Sequence, residues 1–243
     1  MSLMFEEIAH HMTGIGELVL RRRRLRADSA DIWEIMLDGG YLMSSQFVVG
    51  EIALAKLALD RLDGAAMRIV IGGLGLGYTA AAALNDKRVA RLDVIELVPE
   101  VIDWHRHDLL PLGSDLTRDP RCRLVAGDFF AMAAKDHADG GLSDGLDAIL
   151  VDIDHSTRHL IEAGSSSFYE LTALTRMAQH LRPGGIFALW SSGAEDPVFV
   201  AAMERVFDEV LAERVEFPNP YRDDPAFNII YLGKRPDISR AAP

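Results

Sequence analysis

Apolar positions recur along this chain with two different periods, and the changes of period mark its elements. Residues 18–25, 32–37 and 41–44 are short strand-like runs, and Asp38-Gly39-Gly40 is a turn signal between the last two. From Gln46 to Leu62 the spacing becomes helical, with Ile52, Leu54, Ala55, Leu57, Ala58 and Leu62 on one broad apolar face. After Gly64 strands and helices alternate. Strands are predicted at 68–71, 92–97, 123–126, 148–151 and 186–190, with helices at 79–84, 99–110, 168–181 and 197–210. Two late strands, 214–217 and 228–232, have no long helix between them and suit an antiparallel hairpin. Repeated β-then-α order predicts an α/β fold, a mostly parallel sheet with helices on both faces. The expected division is an N-terminal β-hairpin appendage, 1–47, and a main domain, 48–243.

Composition narrows the function classes. A length of 243 residues with 49% hydrophobic content suits one globular unit with a small appendage. The net charge of -12 disfavours a nucleic-acid partner and an anionic membrane surface, both of which need a cationic footprint, and would steer a cationic small molecule favourably. No apolar run approaches the roughly 20 residues of a spanning helix. Cys122 stands alone, so no internal disulfide forms. With no signal-like start, a cytoplasmic location is expected. The run Arg21–Arg24 reads as a solvated strand with alternating charges, or else as a basic edge that blunts strand pairing.

The segment with the clearest chemistry is Ile69-Val70-Ile71-Gly72-Gly73-Leu74-Gly75-Leu76-Gly77-Tyr78-Thr79, which follows a strand and opens a helix. Glycines permit positive φ and let a ligand approach the backbone, and a helix N-terminus adds free N–H groups. The dinucleotide pattern G-x-G-x-x-G fails, because Tyr78 stands where its last glycine would be. What is present is G-x-G-x-G at Gly73, Gly75 and Gly77, a form that resembles motif I of the class I S-adenosylmethionine-dependent methyltransferases. Glu96 ends the next strand, where an acid can accept ribose hydroxyls or can simply be a surface carboxylate. Asp128 ends the third strand. The methyltransferase resemblance places it at the adenine amino group and Phe129 against the ring, whereas Gly127-Asp128 can also be no more than a turn and helix cap.

A longer series of short motifs resembles the polyamine (spermidine/spermine) synthases, which share the methyltransferase fold and transfer an aminopropyl group from decarboxylated S-adenosylmethionine. The matching pieces are Ile35-Met36-Leu37-Asp38-Gly39, Ile71-Gly72-Gly73, Val94-Ile95-Glu96, Asp119-Pro120-Arg121, Asp147-Ala148-Ile149-Leu150-Val151-Asp152, Phe168-Tyr169-Glu170-Leu171 and Leu181-Arg182-Pro183-Gly184-Gly185. The resemblance implies a Rossmann-like, seven-stranded sheet and a homodimer. It also shows departures. Gly75 stands where family members carry an acid that meets the donor's aminopropyl amine. The family's D-S-[ST]-D becomes Asp152-Ile153-Asp154-His155. Of its Y-[HQ]-E stretch only Glu51 survives.

Asp152, Asp154, His155 and His159 cluster just past a strand end, the edge where open α/β sheets bind ligands. The cluster can be loop polarity and capping, a divalent metal site of unfamiliar spacing, or a substrate-facing group. We take the last, with Asp152 placing the acceptor and Asp154 or His155 taking its proton. No metal is then required. The expected activity is methyl transfer from S-adenosylmethionine to a small nucleophile. Aminopropyl transfer from the decarboxylated donor and a silent nucleoside-ligand binder are the alternatives. Tyr78, Tyr169 and Trp190 suit the pocket and the core equally, and His105 and His107 read as surface residues.

Overall fold

The computed structural model describes residues 5–26, 28–153, 155–157, 161 and 168–237. Two sheets form. The smaller is antiparallel, in the order β1 (Phe5–Thr13), β2 (Gly16–Arg23), β3 (Ile32–Leu37), β4 (Gly40–Ser44). The larger has seven strands: β5 (Met67–Gly72), β6 (Val89–Glu96), β7 (Cys122–Ala126), β8 (Leu146–Val151), β9 (Leu181–Ser192), β10 (Asp208–Phe217) and β11 (Ala226–Lys234). Their spatial order is β10-β11-β9-β8-β5-β6-β7. The five strands β5 to β9 run parallel, and β11 lies antiparallel between β9 and β10. The helices are α1 (Val49–Leu59), α2 (Tyr78–Asn85), α3 (Pro99–Arg106), α4 (Gly113–Arg118), α5 (Phe129–Ala133), α6 (Leu171–Ala178) and α7 (Pro197–Met203).

The central strands are apolar on both faces because both faces are covered. Along β5, Ile69 and Ile71 join one hydrophobic cluster while Val70 joins the other; along β8, Ala148 and Leu150 alternate with Ile149 and Val151 in the same way. The first cluster takes in α1, α2 and α3, and also Leu18, Leu20 and Ile35 of the small sheet. The second takes in α6 and α7, with Phe187 and Phe207 stacked at 5.4 Å.

The structure departs from the sequence pattern at several places; among them, the 99–110 helix ends at Arg106, and α4 and α5 are additional. Strand β1 was not predicted, since its polar FEEIAHHMT lies mostly at the surface and shifts register at Glu7/Ala9. The appendage is therefore a four-stranded sheet rather than a hairpin with one added strand. Helix α7 stops at Met203, and Asp208 already begins β10, because Phe207 turns into the core against Phe187. The 168–181 helix shortens to α6. The arginine run lies on β2 as far as Arg23, an interior strand between β1 and β3, so it is not an edge. Its members alternate between acids: Arg21 and Arg23 bind Glu34, Arg22 binds Glu6, and Arg24 binds Asp31.

Because Ile35 is fully buried in a cluster that reaches Leu74, Leu76 and Trp104, the small sheet and the main sheet should unfold together. Ile35→Ala is expected to cost about 2–5 kcal/mol. Urea unfolding followed by both tryptophan fluorescence and circular dichroism should show one shifted transition, and a second, unshifted transition would contradict the shared core.

Candidate functional site

The C-terminal ends of β5, β6, β7 and β8 meet the small sheet around a cavity of about 920 Å³. Ligand sites typically measure ~300–1,000 Å³, so there is room for a nucleoside-sized donor and a small acceptor together.

The glycine loop forms the floor. Gly73, Gly75 and Gly77 have φ of +92°, +47° and +89°, the left-handed region that side chains disfavour. At Gly73 the requirement is also steric: an added Cβ would lie 2.0 Å from the Asp152 carbonyl oxygen. At Gly75 an added Cβ would meet only the end of a flexible side chain, the Met43 sulfur at 2.6 Å. That sulfur also accepts the Leu76 N–H at 3.1 Å. His105 is fully buried beneath the loop, which corrects its reading as a surface residue; His107 is exposed as expected. A carbonyl only accepts, so the 2.9 Å contact between His105 Nε2 and Gly75 O places the ring proton on Nε2. Burial lowers the His105 pKa and keeps the ring neutral.

Glu96 stands at the end of β6 on the cavity wall. Its Oε2 accepts the Leu74 N–H and its Oε1 the Val98 N–H, both at 2.9 Å. Burial raises its pKa, and these N–H groups oppose that shift. The carboxylate braces the glycine loop, and the Gly75 and Leu97 N–H groups also turn toward it. Asp128 caps α5, accepting the Ala131 N–H at 3.0 Å, and it also lines the cavity. The two readings of Asp128 are compatible. Phe129 is buried with its ring against Gly72, where an added Cβ would lie 2.6 Å away. Phe130 is less buried and lines the same wall, 4.7 Å from the ring of Phe168.

Asp152 follows β8, and its N–H donates to the Gly72 carbonyl at 2.8 Å. The Thr79 hydroxyl donates to Asp152 Oδ2 at 2.5 Å. Glu51, in the first turn of α1, lies close enough to Asp152 for their charges to repel. It is 6% exposed, and its Oε2 has no hydrogen-bond partner among the described residues. Burial first, and then the Asp152 charge, push Glu51 up to about 8. Burial pushes Asp152 up to about 6 against the Thr79 hydrogen bond. The pair therefore holds one proton near neutrality, mostly on Glu51.

His155 is on the cavity wall, where its backbone carbonyl accepts the N–H and the hydroxyl of Ser192. Asp154 and His159 lie outside the described residues. Trp190 lines the cavity, and its Nε1–H has no partner among the described residues. Tyr169 packs edge-on against Phe199 in the core instead, and Tyr78 sits beside Ser45 and Glu51. The far wall comes from segments that sequence spacing could not join: Arg23 and Glu34 of the small sheet, Gln46 before α1, and Tyr221 between β10 and β11. Among the described residues, no group of three or more His, Cys, Asp or Glu is placed to hold a metal ion, and no helix is long and apolar enough to cross a membrane.

No family model matches the chain. A polyamine aminopropyltransferase of Prochlorococcus marinus (strain MIT 9313) is 31% identical over 127 residues, which are 52% of this chain and 41% of that protein. Putrescine N-methyltransferase 4 of Nicotiana tabacum is 29% identical over 133 residues, 55% of this chain and 31% of that protein. The chain thus spans less than half the length of these relatives. The spermidine synthase of Thermotoga maritima superposes with a TM-score of 0.69 at 16% identity, over 94% of this chain and 72% of that structure. The fold is that of the class I methyltransferases and spermidine synthases. The polyamine-synthase resemblance read from the motifs is borne out by these relatives, whose names carry two different transfers.

The acid pair sets a direction for stability against pH. A carboxyl group whose pKa is higher folded than unfolded binds more protons in the native state, so stability falls as pH rises from the unfolded value toward the folded one. For Glu51 that window runs from 4.5 to about 8. Glu51→Gln should flatten the fall of melting temperature between pH 5 and 8 and leave the variant the more stable at pH 8, by on the order of 1–3 kcal/mol. Parallel melting curves for the two proteins across that range would contradict the buried pair.

Proposed function

We propose that the chain is an S-adenosylmethionine-dependent methyltransferase acting on a small nucleophile. The observation that carries this reading is Gly75, covered by the Met43 sulfur where the polyamine-synthase resemblance calls for an acid. A donor with a bare aminopropyl amine finds no carboxylate from that position, whereas a donor tail with a carboxylate meets no repulsion there.

The residues present fit an adenosyl donor. Glu96 offers acceptor lone pairs to ribose hydroxyls, Asp128 and Phe130 stand at the adenine end, and the positive-φ loop lets the tail approach backbone. When bound, S-adenosylmethionine supplies an electrophilic methyl carbon on a sulfonium. The protein's part is to hold the acceptor and take its proton. Asp152 is suited to both: it is largely ionised at neutral pH, its raised pKa makes it a competent base, and Thr79 fixes its orientation. Glu51 stays protonated beside it and limits the negative charge at that end. His155 is a second base on the same wall. Aminopropyl transfer is the alternative, supported by the relative from Prochlorococcus marinus.

Calorimetric titration distinguishes the donors. The chain should bind S-adenosylmethionine about tenfold tighter than the decarboxylated form, since only the tail carboxylate differs. Gly75→Asp should shrink or reverse the preference. A melting curve must accompany it, because φ of +47° strains a side chain, although Asp is among the residues that tolerate this region best. Tighter binding of the decarboxylated donor by the wild type would overturn the methyl-transfer reading.

A further inference from the structure

The cavity is electrically asymmetric. At one end Asp152 supplies an anion beside a protonated Glu51. At the other, a cation remains. Glu34 is fully buried, and its single carboxylate is shared by two guanidinium groups: Arg21 Nε at 2.6 Å and Arg23 Nε at 2.7 Å. Two positive charges on one negative charge leave a net positive charge in the wall. Arg21 is held away from the cavity by the Tyr41 hydroxyl at 2.9 Å and by the ring faces of Phe5 and Tyr41. Arg23 lines the cavity, with its side chain 20% exposed and Gln46 Oε1 3.4 Å from Nη2. Arg23 also reaches the rim, where its hydrogen bond to the Tyr221 phenol, and then its charge, lower the phenol's pKa.

With Glu96 and Asp128 taken by the donor, a plain diamine, charged at both ends, would meet one anion at Asp152 and then face Arg23. Resting on the transferase reading above, we propose that Arg23 receives a carboxylate of the acceptor, so that the acceptor is amino-acid-like, with its nucleophilic amine toward Asp152 and its carboxylate toward the small sheet. Arg23 is then a specificity-determining residue. The planar guanidinium suits a carboxylate because several of its N–H groups lie in one plane.

L-Ornithine and putrescine carry the same diamine chain with and without a carboxylate, and serve as the probe pair. They are titrated into the full chain saturated with S-adenosylhomocysteine. Wild type should bind L-ornithine about tenfold or more tighter than putrescine. Arg23→Gln should bring the two within about threefold by weakening L-ornithine alone. Arg23→Lys, which keeps the charge beside Glu34, should retain part of the preference, and it carries the test if Arg23→Gln does not fold. The proposal is overturned if wild type prefers putrescine, binds neither probe, or keeps its preference in the variant that folds. A second pair, S-adenosylmethionine and its decarboxylated form, assigns the carboxylate. Their affinity ratio should be unchanged by Arg23→Gln. Collapse of that ratio would show that Arg23 reads the donor's tail, and would equally overturn the proposal. If wild type binds no adenosyl donor, the transferase reading fails instead, and the L-ornithine preference is then read on the ligand-free chain.

Discussion

The site depends on a close approach of backbone to backbone. Gly73 lies against the Asp152 carbonyl so closely that even a methyl group would overlap it, and Asp152 in turn donates its N–H to Gly72. This contact joins the loop after β5 to the end of β8, adjacent parallel strands in the sheet. It sets the glycine loop and the Asp152 carboxylate at a fixed distance from each other. Glu96 reinforces it from the β6 side by taking the Leu74 and Val98 N–H groups, and the neutral His105 supports Gly75 from below. Rigid placement of two reactants is worth a large part of a transfer reaction's barrier, so under the proposed function these structural hydrogen bonds would serve the chemistry directly.

Upon this frame the chain places charges of opposite sign at two ends of one cavity. The Glu51–Asp152 pair is kept to about one negative charge near neutral pH by burial and mutual repulsion. The Arg21–Glu34–Arg23 group carries one positive charge, sustained by a buried carboxylate that would be costly without its partners. The small sheet therefore closes the cavity and also contributes its cationic wall.

Much of this was legible in the residues. The period changes located the parallel strands because β5, β6 and β8 are buried on both faces and leave little else for their apolar runs to be. The G-x-G-x-G spacing located the loop, and strand-end acids located Glu96, Asp128 and Asp152 at the cavity. What escaped the sequence depended on distant segments meeting. Strand β1 is polar on an exposed edge and gains its order by pairing with β2 and by packing Ile8 and Ala9 on the first cluster. His105 sits on a helix whose surface pattern gave no hint that Gly77 and Leu116 would cover it. Arg23, Gln46 and Tyr221 are far apart in the chain, and charge alternation alone suggested a solvated strand. Phe129 lines the cavity with its ring on Gly72, and its neighbour Phe130 on the same wall is the more open of the two.

The most direct test of the account is a crystal structure of the chain with S-adenosylhomocysteine. The ribose hydroxyls are expected on the Glu96 carboxylate, the adenine between Asp128 and Phe130, and the homocysteine tail along Gly73–Gly77, with the sulfur facing the Asp152 end of the cavity. Nucleoside density elsewhere, or a ribose that leaves Glu96 bonded only to Leu74 and Val98, would contradict it.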